Sequence, residues 1–537
     1  MFDSQAETET FGGSPEPAFS DVDLRARVMI PGTNKLDLPN FLAATAKIMF
    51  DQLDQAGLAP TEQCVDLLME TCSCCSGTAA SHLVEDAVAA AASEKLLLPM
   101  RCSASFVAEC VEWKRQFMMD NVLKDTCCAY DDVVTLGDAQ GRCANPKHKR
   151  TALGKDKGGM RCMPCSVPGP SSKTTGMSAG TSCKSFSKAN SQFVANRTSM
   201  QRQDGDATSV KTFAATLKIA KRLPQLKWMI WENVESMGKA TDPTSNLSQY
   251  LARFRAEGFH VDYHVLKSSD FWLPQHRVRI YFMIIPNNIF EQGILDDDTF
   301  FENWHRAIDE MKFPALDLDS FIMDESDPPV QAELARRVAE FQNKCAAETA
   351  NADALQDDAG SEQSQPKWIK CHMDISESLG LHWPVPVPVE LATNQWFKLC
   401  TRREQEVIVF AHFNGASFVD SSQNASRPRA MFNDGSPTIM PNQAVWSFEA
   451  GRFLIGRDCL ALQGFPWSRL PLISSYSEKE LQDLAGNMFS TTCYMAALIA
   501  MLSAWKKRED TSDLEATDVL KNLRTFSEEP GSEGDDA

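Results

Sequence analysis

A chain of 537 residues, 43% hydrophobic and 23% charged, has the composition of an ordinary globular protein and length for about three or four domain-sized units. No run of about 18 apolar residues is present, so no transmembrane helix is expected, and the acidic first twenty residues lack the apolar stretch of a secretory signal. Seventeen cysteines without such a signal point to free thiols in a reducing compartment, not to a disulfide framework.

The net charge of −19 is unevenly spread. Residues 1–23 carry six acids and no base, residues 291–330 twelve acids against two bases, and residues 509–537 ten acids against two bases. Residues 141–221 reverse the sign, with fifteen Lys or Arg against Asp156, Asp204 and Asp206. Such a stretch is an electrostatic footprint for phosphate; a solvated lysine-rich loop is the bland alternative.

In chain order, residues 1–60 read as a largely disordered or poorly structured extension. Residues 61–285 alternate short apolar runs with amphipathic segments, as βαβ units do. CVDLLMETC (64–72) reads as a buried strand running into the small-residue turn CCSGTAASH. SFVAEC (105–110) and YDDVVTL (130–136) follow as apolar runs that meet acids. Residues 141–176 look like a basic, glycine-rich insertion, and TTGMSAG (174–180) like a weak strand. Val210, Phe213, Leu217 and Ala220 recur at helical spacing. WMIW (228–231) is a short buried strand, Leu247, Leu251 and Phe254 mark a helix stopped at Gly258, and RIYFMII (279–285) is another buried strand. Residues 286–474 are irregular, with an acidic linker in ETANADALQDDAGSEQSQP. LAGNMFSTTCYMAALIAML (484–502), inside 475–507, reads as one apolar helix, and 508–537 as an acidic disordered tail.

Five segments carry chemistry. In AGTSCKSFSKAN, Cys183 lies in a small-residue turn beside Lys184 and Lys188, cations of the kind that favour thiolate. In WMIWENVESM, Glu232 directly follows a buried strand, where open parallel sheets place functional groups; a solvated glutamate is the alternative. In LPQHRVRIYFMII, Gln275, Arg277 and Arg279 alternate onto one face, and two guanidiniums there call for an anion or a structural ion pair. GRFLIGRDCLALQGFP (451–466) and AGN (485–487) complete the set.

Together, and in this order, these segments resemble the DNA (cytosine-5) methyltransferase family. CCSGTAASH resembles its cofactor loop F-x-G-x-G-G, and SCKSFSKAN its nucleophile motif PCQ-x-FS-x-AG. ENV and QHRVR stand as in the family. SPTI (436–439) through RDCLALQGFP resembles the segment closing the target-recognition region, and AGNMF the final GN motif. Cys183, Glu232 and Arg277 follow at intervals of roughly 45–50 residues. The resemblance covers about residues 61–285 and 430–507.

What the resemblance implies is an α/β fold: a Rossmann-like, parallel-dominated methyltransferase sheet with a smaller target-recognition domain inserted after Arg279. The implied function is transfer of a methyl group from S-adenosyl-L-methionine to C5 of a flipped-out cytosine in DNA. Cys183 would add to C6 of the ring, Glu232 would bind N3 and the exocyclic amine, and Arg277 and Arg279 would hold the base carbonyl and a nearby anion. Gln275 and Ser187 would contact the substrate. On the cofactor side, Cys75 takes the position of the family's Phe and Gly77 that of its first glycine. Glu109 would take the ribose hydroxyls, Asp132 and Val133 the adenine, and Asn487 and Met488 would close over the ligand. DNA as partner implies a nuclear location.

The chain departs from the pattern at Ala79 and Ala80, where glycines are usual, at Ser182 in place of Pro, and at Lys184 in place of Gln. Two alternatives stay open: an RNA (tRNA) cytosine methyltransferase, whose usual Cys-Phe-Thr signature is absent here, and a catalytically degenerate DNA-binding paralogue. Pro164-Cys165 is a second candidate nucleophile without the following FS-x-A. Cys143, His148, Cys162 and Cys165 could hold zinc, with free thiols in a basic loop as the alternative, and no metal is expected.

Overall fold

A computed structural model describes residues 21–506, apart from 76, 125–126, 142, 146–171, 189–197, 203–207, 355–366, 424, 427–430 and 434. Seven strands make the main sheet: β1 Thr71–Cys74, β2 Ala104–Ala108, β3 Cys128–Tyr130, β4 Gly176–Ala179, β5 Trp228–Val234, β6 Phe259–Lys267 and β7 Val278–Pro286. Their order is β3-β2-β1-β4-β5-β7-β6. β1 to β5 run parallel, and β7 lies antiparallel between β5 and β6. The expected parallel-dominated α/β sheet is therefore present. The chain leaves β1 for β2 and β3, then returns to β4 on the other flank of β1. The topological switch point, where open α/β sheets open a crevice, falls between β1 and β4.

Strand sequence explains the layering. Alternate side chains of β7 feed two cores, Tyr281, Met283 and Ile285 on one face and Ile280, Phe282 and Ile284 on the other. The first face is covered by helices Phe41–Gln55, Ala80–Leu96, Asp297–Glu310 and Thr491–Ala504, the second by Thr208–Ala220 and Asn246–Ala256. Each fully buried Leu, Ile or Phe contributes about 1.5–3 kcal/mol relative to exposure. Gly176 is set by close approach: a Cβ there would fall 2.2 Å from the ring of Trp228. That indole is buried and donates to the Leu67 carbonyl at 2.8 Å.

A smaller domain has its own core, from Val330 to Ile455, around helices Pro328–Ala354 and Arg402–Phe413. Its sheet pairs β8 Phe418–Asp420, β9 Met431–Phe432, β10 Val445–Ser447 and β11 Arg452–Phe453 in the order β11-β10-β8-β9. Arg452 clamps its entry and exit. The guanidinium meets Asp458 at 2.6 Å and donates to Met323 O at 2.6 Å, while Met323 N–H donates to Asp458 at 2.9 Å.

Several expectations change. Residues 1–60 are not uniformly unstructured: Phe41–Gln55 is a helix with Phe41, Ile48, Met49 and Leu53 in the core. The strand expected over 64–72 begins only at Thr71, because Glu62–Leu68 forms a 3-10 turn. The smaller domain is shorter than 286–474. Phe300, Trp304, Ile308 and Phe313 pack into the main core, as do Leu460, Leu462 and Phe465. The first part of the expected acidic linker continues the helix Pro328–Ala354. The apolar stretch at the end is two helices, Glu478–Asn487 and Thr491–Ala504, parted at Met488–Ser490. Glu478–Ala504 is long and apolar enough by composition to cross a membrane, yet 89% of its most apolar window is buried inside the protein. Most of the basic insertion, His148, Cys162, Cys165 and the tail lie outside the described residues.

Candidate active site

Because β1 to β5 are parallel, their C-terminal ends share one edge of the sheet, and the chain there delivers Cys75, Glu109, Asp132, Cys183 and Glu232 in turn. Gly180 N–H donates to Cys74 O at 3.1 Å, which prolongs the β1–β4 pairing by one residue beyond β4. The chain then leaves the sheet as the loop Thr181–Ser187. Inside it, the N–H groups of Phe186 and Ser187 both donate to Cys183 O, at 2.8 and 2.9 Å, closing a tight turn under the thiol.

Glu232 stands on β5 opposite Tyr281 of β7, with Arg279 two residues along the same strand and on the same face. Arg279 Nε lies 3.0 Å from Glu232 Oε1, and Arg277 Nη2 lies 4.0 Å from the same oxygen. That oxygen is buried beside the two guanidiniums and accepts no aligned hydrogen bond, while the other oxygen, Oε2, lies on the side of Gly180. Burial first, and then the charge of Glu232, push the Cys183 thiol above its ordinary value, while Arg279 and Arg277 pull it down. Cys183, Glu232, Arg279 and Arg277 thus lie together as one electrostatic unit.

The two arginines differ in role. Arg277 is almost fully buried, donates to Ile439 O at 3.2 Å and also to Met488 O. Burial, and next the charge of Arg279, lower it to about 10 against the pull of Glu232. It ties the segment between β9 and β10, and the break before the last helix, to the site. Gln275 is buried too: its amide donates to Leu462 O at 3.3 Å, and its backbone bridges to Ser436. Both side chains sit in the scaffold beneath the crevice. Ser187 is half-buried, and its N–H donates to Cys183 O.

The cofactor loop is built on left-handed backbone. Cys75, Gly77 and Ala79 have φ of 58°, 63° and 54°. Only glycine takes this region without steric cost, so Ala79 holds it under strain, whereas Ala80 opens the helix Ala80–Leu96 with ordinary geometry. Burial, followed by the charges of Cys74, Glu109, Cys110 and Asp132, raises the Cys75 thiol, which places both acids around the loop. Glu109 accepts from Val111 N–H at 3.0 Å. Asp132 accepts from Val134 N–H at 2.9 Å and caps the short helix that begins at buried Val133. A Cβ on Gly77 would stand 3.8 Å from the Asn487 Cβ. Asn487 is exposed, with its amide folded onto Asp483, and Met488 is buried.

Sequence reasoning missed the groups that hold these parts together. Gly180 is the hinge of the site: a Cβ there would lie 3.3 Å from Cys75 O and 4.0 Å from Glu232 Oε2. Thr181 Oγ1 meets Tyr250 OH at 2.9 Å and accepts from Asn233 Nδ2 at 3.2 Å. Asn233 lies within the ENV segment, so position beside Glu232 was its available signal; Tyr250 gave none. Among the described residues no cluster of His, Cys, Asp and Glu is arranged for a metal ion. A cavity of about 700 Å3 against β6, lined by Arg255, His260, Asp262 and His305, shares none of these residues. Cavity volume therefore does not mark the site.

The pattern of the C-5 cytosine-specific DNA methylase family matches residues 170–496. The chain belongs to this family. The match takes in Cys183, Glu232, Arg277 and Arg279 and begins after Cys75, Glu109 and Asp132, so the cofactor loop stands on its geometry. A DNA (cytosine-5-)-methyltransferase of Cryptococcus neoformans, DMT5, is 25% identical over 454 residues, or 80% of this chain; the chain spans 17% of that protein's length. Among solved structures, the Dnmt2 methyltransferase of S. pombe is 13% identical over 81% of this chain and 98% of its own, with a TM-score of 0.36. A putative DNA modification methyltransferase from an E. coli prophage is 12% identical over 80% of this chain and 98% of its own, also at 0.36.

Proposed function

We propose that this C-5 cytosine methylase family member methylates C5 of cytosine in DNA, with Cys183 as nucleophile and S-adenosyl-L-methionine as donor. The observation that carries the reading is the convergence of Cys183, Glu232 and Arg279 at the switch-point edge, one glycine away from the strained loop at Cys75. The family's description and the name of the fungal relative support DNA as the substrate.

Cytosine C5 is a weak nucleophile until a group adds to C6. The sulfur of Cys183 forms that bond, and the ring electrons move towards C5. Glu232 hydrogen-bonds the ring at N3 and supplies the proton that neutralises it. The charge of Glu232 disfavours the Cys183 thiolate, and the charges of Arg279 and Arg277 favour it. Arg279 fixes the carboxylate against β7. Once C5 carried the methyl group that the donor would supply, a base would take the C5 proton, and that electron pair would re-form the C5–C6 double bond as the C6–S bond breaks and the thiolate leaves. A target inside a duplex must flip out to reach this edge.

The loop fits the donor. Left-handed backbone at Cys75 and Gly77 leaves main-chain atoms close to Asn487 and Gly180, and two carboxylates flank it as acceptors for hydroxyl and amine groups. Cys75, Gly77, Glu109, Asp132, Val133, Asn487 and Met488 would hold S-adenosyl-L-methionine, which supplies an electrophilic methyl group when bound. Work on DNA implies a nuclear location, which imaging of a fluorescent fusion would check.

The test is covalent trapping. DNA containing 5-fluorocytosine should form a stable adduct mapping to Cys183, because fluorine cannot leave as a proton does, and Cys183→Ala should form none. An adduct at Cys165, or methyl transfer to tRNA but not to duplex DNA, would overturn the reading.

A further inference from the structure

The loop that carries Cys183 must hold the sulfur still, yet it belongs to no strand or helix. Side chains grip it from outside. Thr181 is held by Tyr250 and Asn233, and Ser236 donates to Phe186 O at 2.6 Å. The remaining two links reach one helix turn. Ser182 N–H donates to Thr212 Oγ1 at 3.3 Å, and Ser185 N–H donates to Ser209 Oγ at 3.0 Å. Both partners lie at the start of the helix Thr208–Ala220. The Thr212 hydroxyl donates in turn to Thr208 O at 2.9 Å, so its hydrogen is spent on the helix and its lone pair faces the loop.

The residue before the nucleophile decides whether this link can exist. Proline has no N–H and a fixed φ, so a proline there would be rigid and could not donate to Thr212. Serine at this position is freer and leaves an N–H to satisfy. The two features compensate: Thr212 takes the N–H that Ser182 exposes and restores the restraint that proline would supply.

We propose that Thr212, assisted by Ser209, is a positioning residue for Cys183, holding the nucleophile loop through the Ser182 and Ser185 N–H groups. This rests on Cys183 being the nucleophile. Neither hydroxyl touches the substrate; both act through the loop backbone.

The experiment uses the full chain with Thr212→Val, Thr212→Ser and Ser182→Pro, plus the double variant Ser182→Pro/Thr212→Val. Thr212→Val should lower kcat and the rate of 5-fluorocytosine adduct formation roughly two- to tenfold, the scale of one hydrogen bond, with KM for DNA unchanged. Hydrogen exchange in the peptide around residues 181–187 should quicken. Thr212→Ser keeps the hydroxyl and should restore both. In the Ser182→Pro background, where the N–H is gone, Thr212→Val should cost nothing more, since the two changes remove one link. Equal kcat for Thr212→Val and Thr212→Ser overturns the proposal, as does an undiminished cost of Thr212→Val in the Ser182→Pro background. Should the Ser182→Pro protein turn over too slowly to compare, the Val and Ser variants decide alone. Turnover retained in Cys183→Ala would instead overturn the nucleophile assignment and leaves the exchange result standing.

Discussion

Arg279 Nε approaches Glu232 Oε1 to 3.0 Å from the neighbouring antiparallel strand, while Cys183 faces the same pair from the loop after β4. The thiol is therefore held up by burial and Glu232 and pulled down by the arginines. Removing the carboxylate charge should separate reactivity from catalysis. Glu232→Gln should lose turnover by about 10²–10⁴-fold, the scale of a general acid. Its Cys183 should nonetheless alkylate faster with iodoacetamide at neutral pH, since the group that disfavours thiolate is gone. Arg279→Gln should slow alkylation. The rates are read by mass spectrometry of the Cys183 peptide. Slower alkylation in Glu232→Gln would show that the two side chains are not coupled.

The cofactor loop gives opposite expectations for two adjacent alanines. Ala79 sits at φ 54°, where a Cβ costs about 1–2 kcal/mol, so Ala79→Gly should stabilise the protein by up to about 1 kcal/mol. Ala80 is fully buried in the first turn of a helix, and Ala80→Gly should destabilise by about 0.5–1 kcal/mol. Urea unfolding of both variants checks the signs. Equal effects at the two sites would mean that the left-handed turn is not formed as described.

The edge of the sheet that carries the chemistry was legible because its strands end in short apolar runs followed by Glu109, Asp132 and Glu232. The motifs around Cys183 and Arg279 located the rest. What stayed hidden depends on tertiary contacts. The helix Asp297–Glu310 was masked by its own acids: counting charge over 291–330 obscures Phe300, Trp304, Ala307 and Ile308, which recur on its inner face. The break between the last two helices has a local signal in Gly486-Asn487 and the N-cap Ser490, which the apolar residues on either side outweigh in the sequence reading. A Cβ on Gly486 would fall 2.2 Å from Pro441 N, so that glycine is set by a segment 45 residues away in sequence. Arg277 and Gln275 have the composition of ligand-binding residues, and only burial reveals that they hold the scaffold.

Acid lability should trace in part to Glu85. It is fully buried, pairs with His82 Nδ1 at 2.9 Å, and accepts from Thr71 Oγ1 at 2.5 Å and Tyr494 OH at 2.6 Å. Burial pushes this carboxyl up, but His82, Thr71 and Tyr494 outweigh it and leave it below the ordinary 4.5. A carboxyl depressed by folding contributes stability above its unfolded value and loses it as pH falls through the folded one. Stability should therefore decline below about pH 4.5. Glu85→Gln should cost about 1–3 kcal/mol at neutral pH, because it removes the buried carboxylate that His82, Thr71 and Tyr494 share, and should flatten the acid limb. Thermal melts across pH 3–7 provide the comparison; an unchanged acid limb in Glu85→Gln would place the sensitivity elsewhere.

Gly180 joins the two halves of the site, and its substitution should injure them in sequence. An alanine Cβ would stand 3.3 Å from Cys75 O, tighter than ordinary contact, and 4.0 Å from Glu232 Oε2. Gly180→Ala can be absorbed by a shift of a few tenths of an ångström in the strained loop at Cys75. The expected result is weaker binding of S-adenosyl-L-homocysteine by calorimetry, roughly two- to tenfold for about 0.5–1.5 kcal/mol of displaced contact. Adduct formation with 5-fluorocytosine DNA at saturating donor should change little. Gly180→Val adds two further carbons beside the Glu232 carboxylate, so donor binding and adduct formation should both fall while the melting temperature stays within a few degrees, because the crevice edge bears little of the core. Donor affinity unchanged in Gly180→Val would mean that the turn at Cys75 is not the cofactor cradle; lost affinity with normal adduct formation would mean that Glu232 does not face the base from that side.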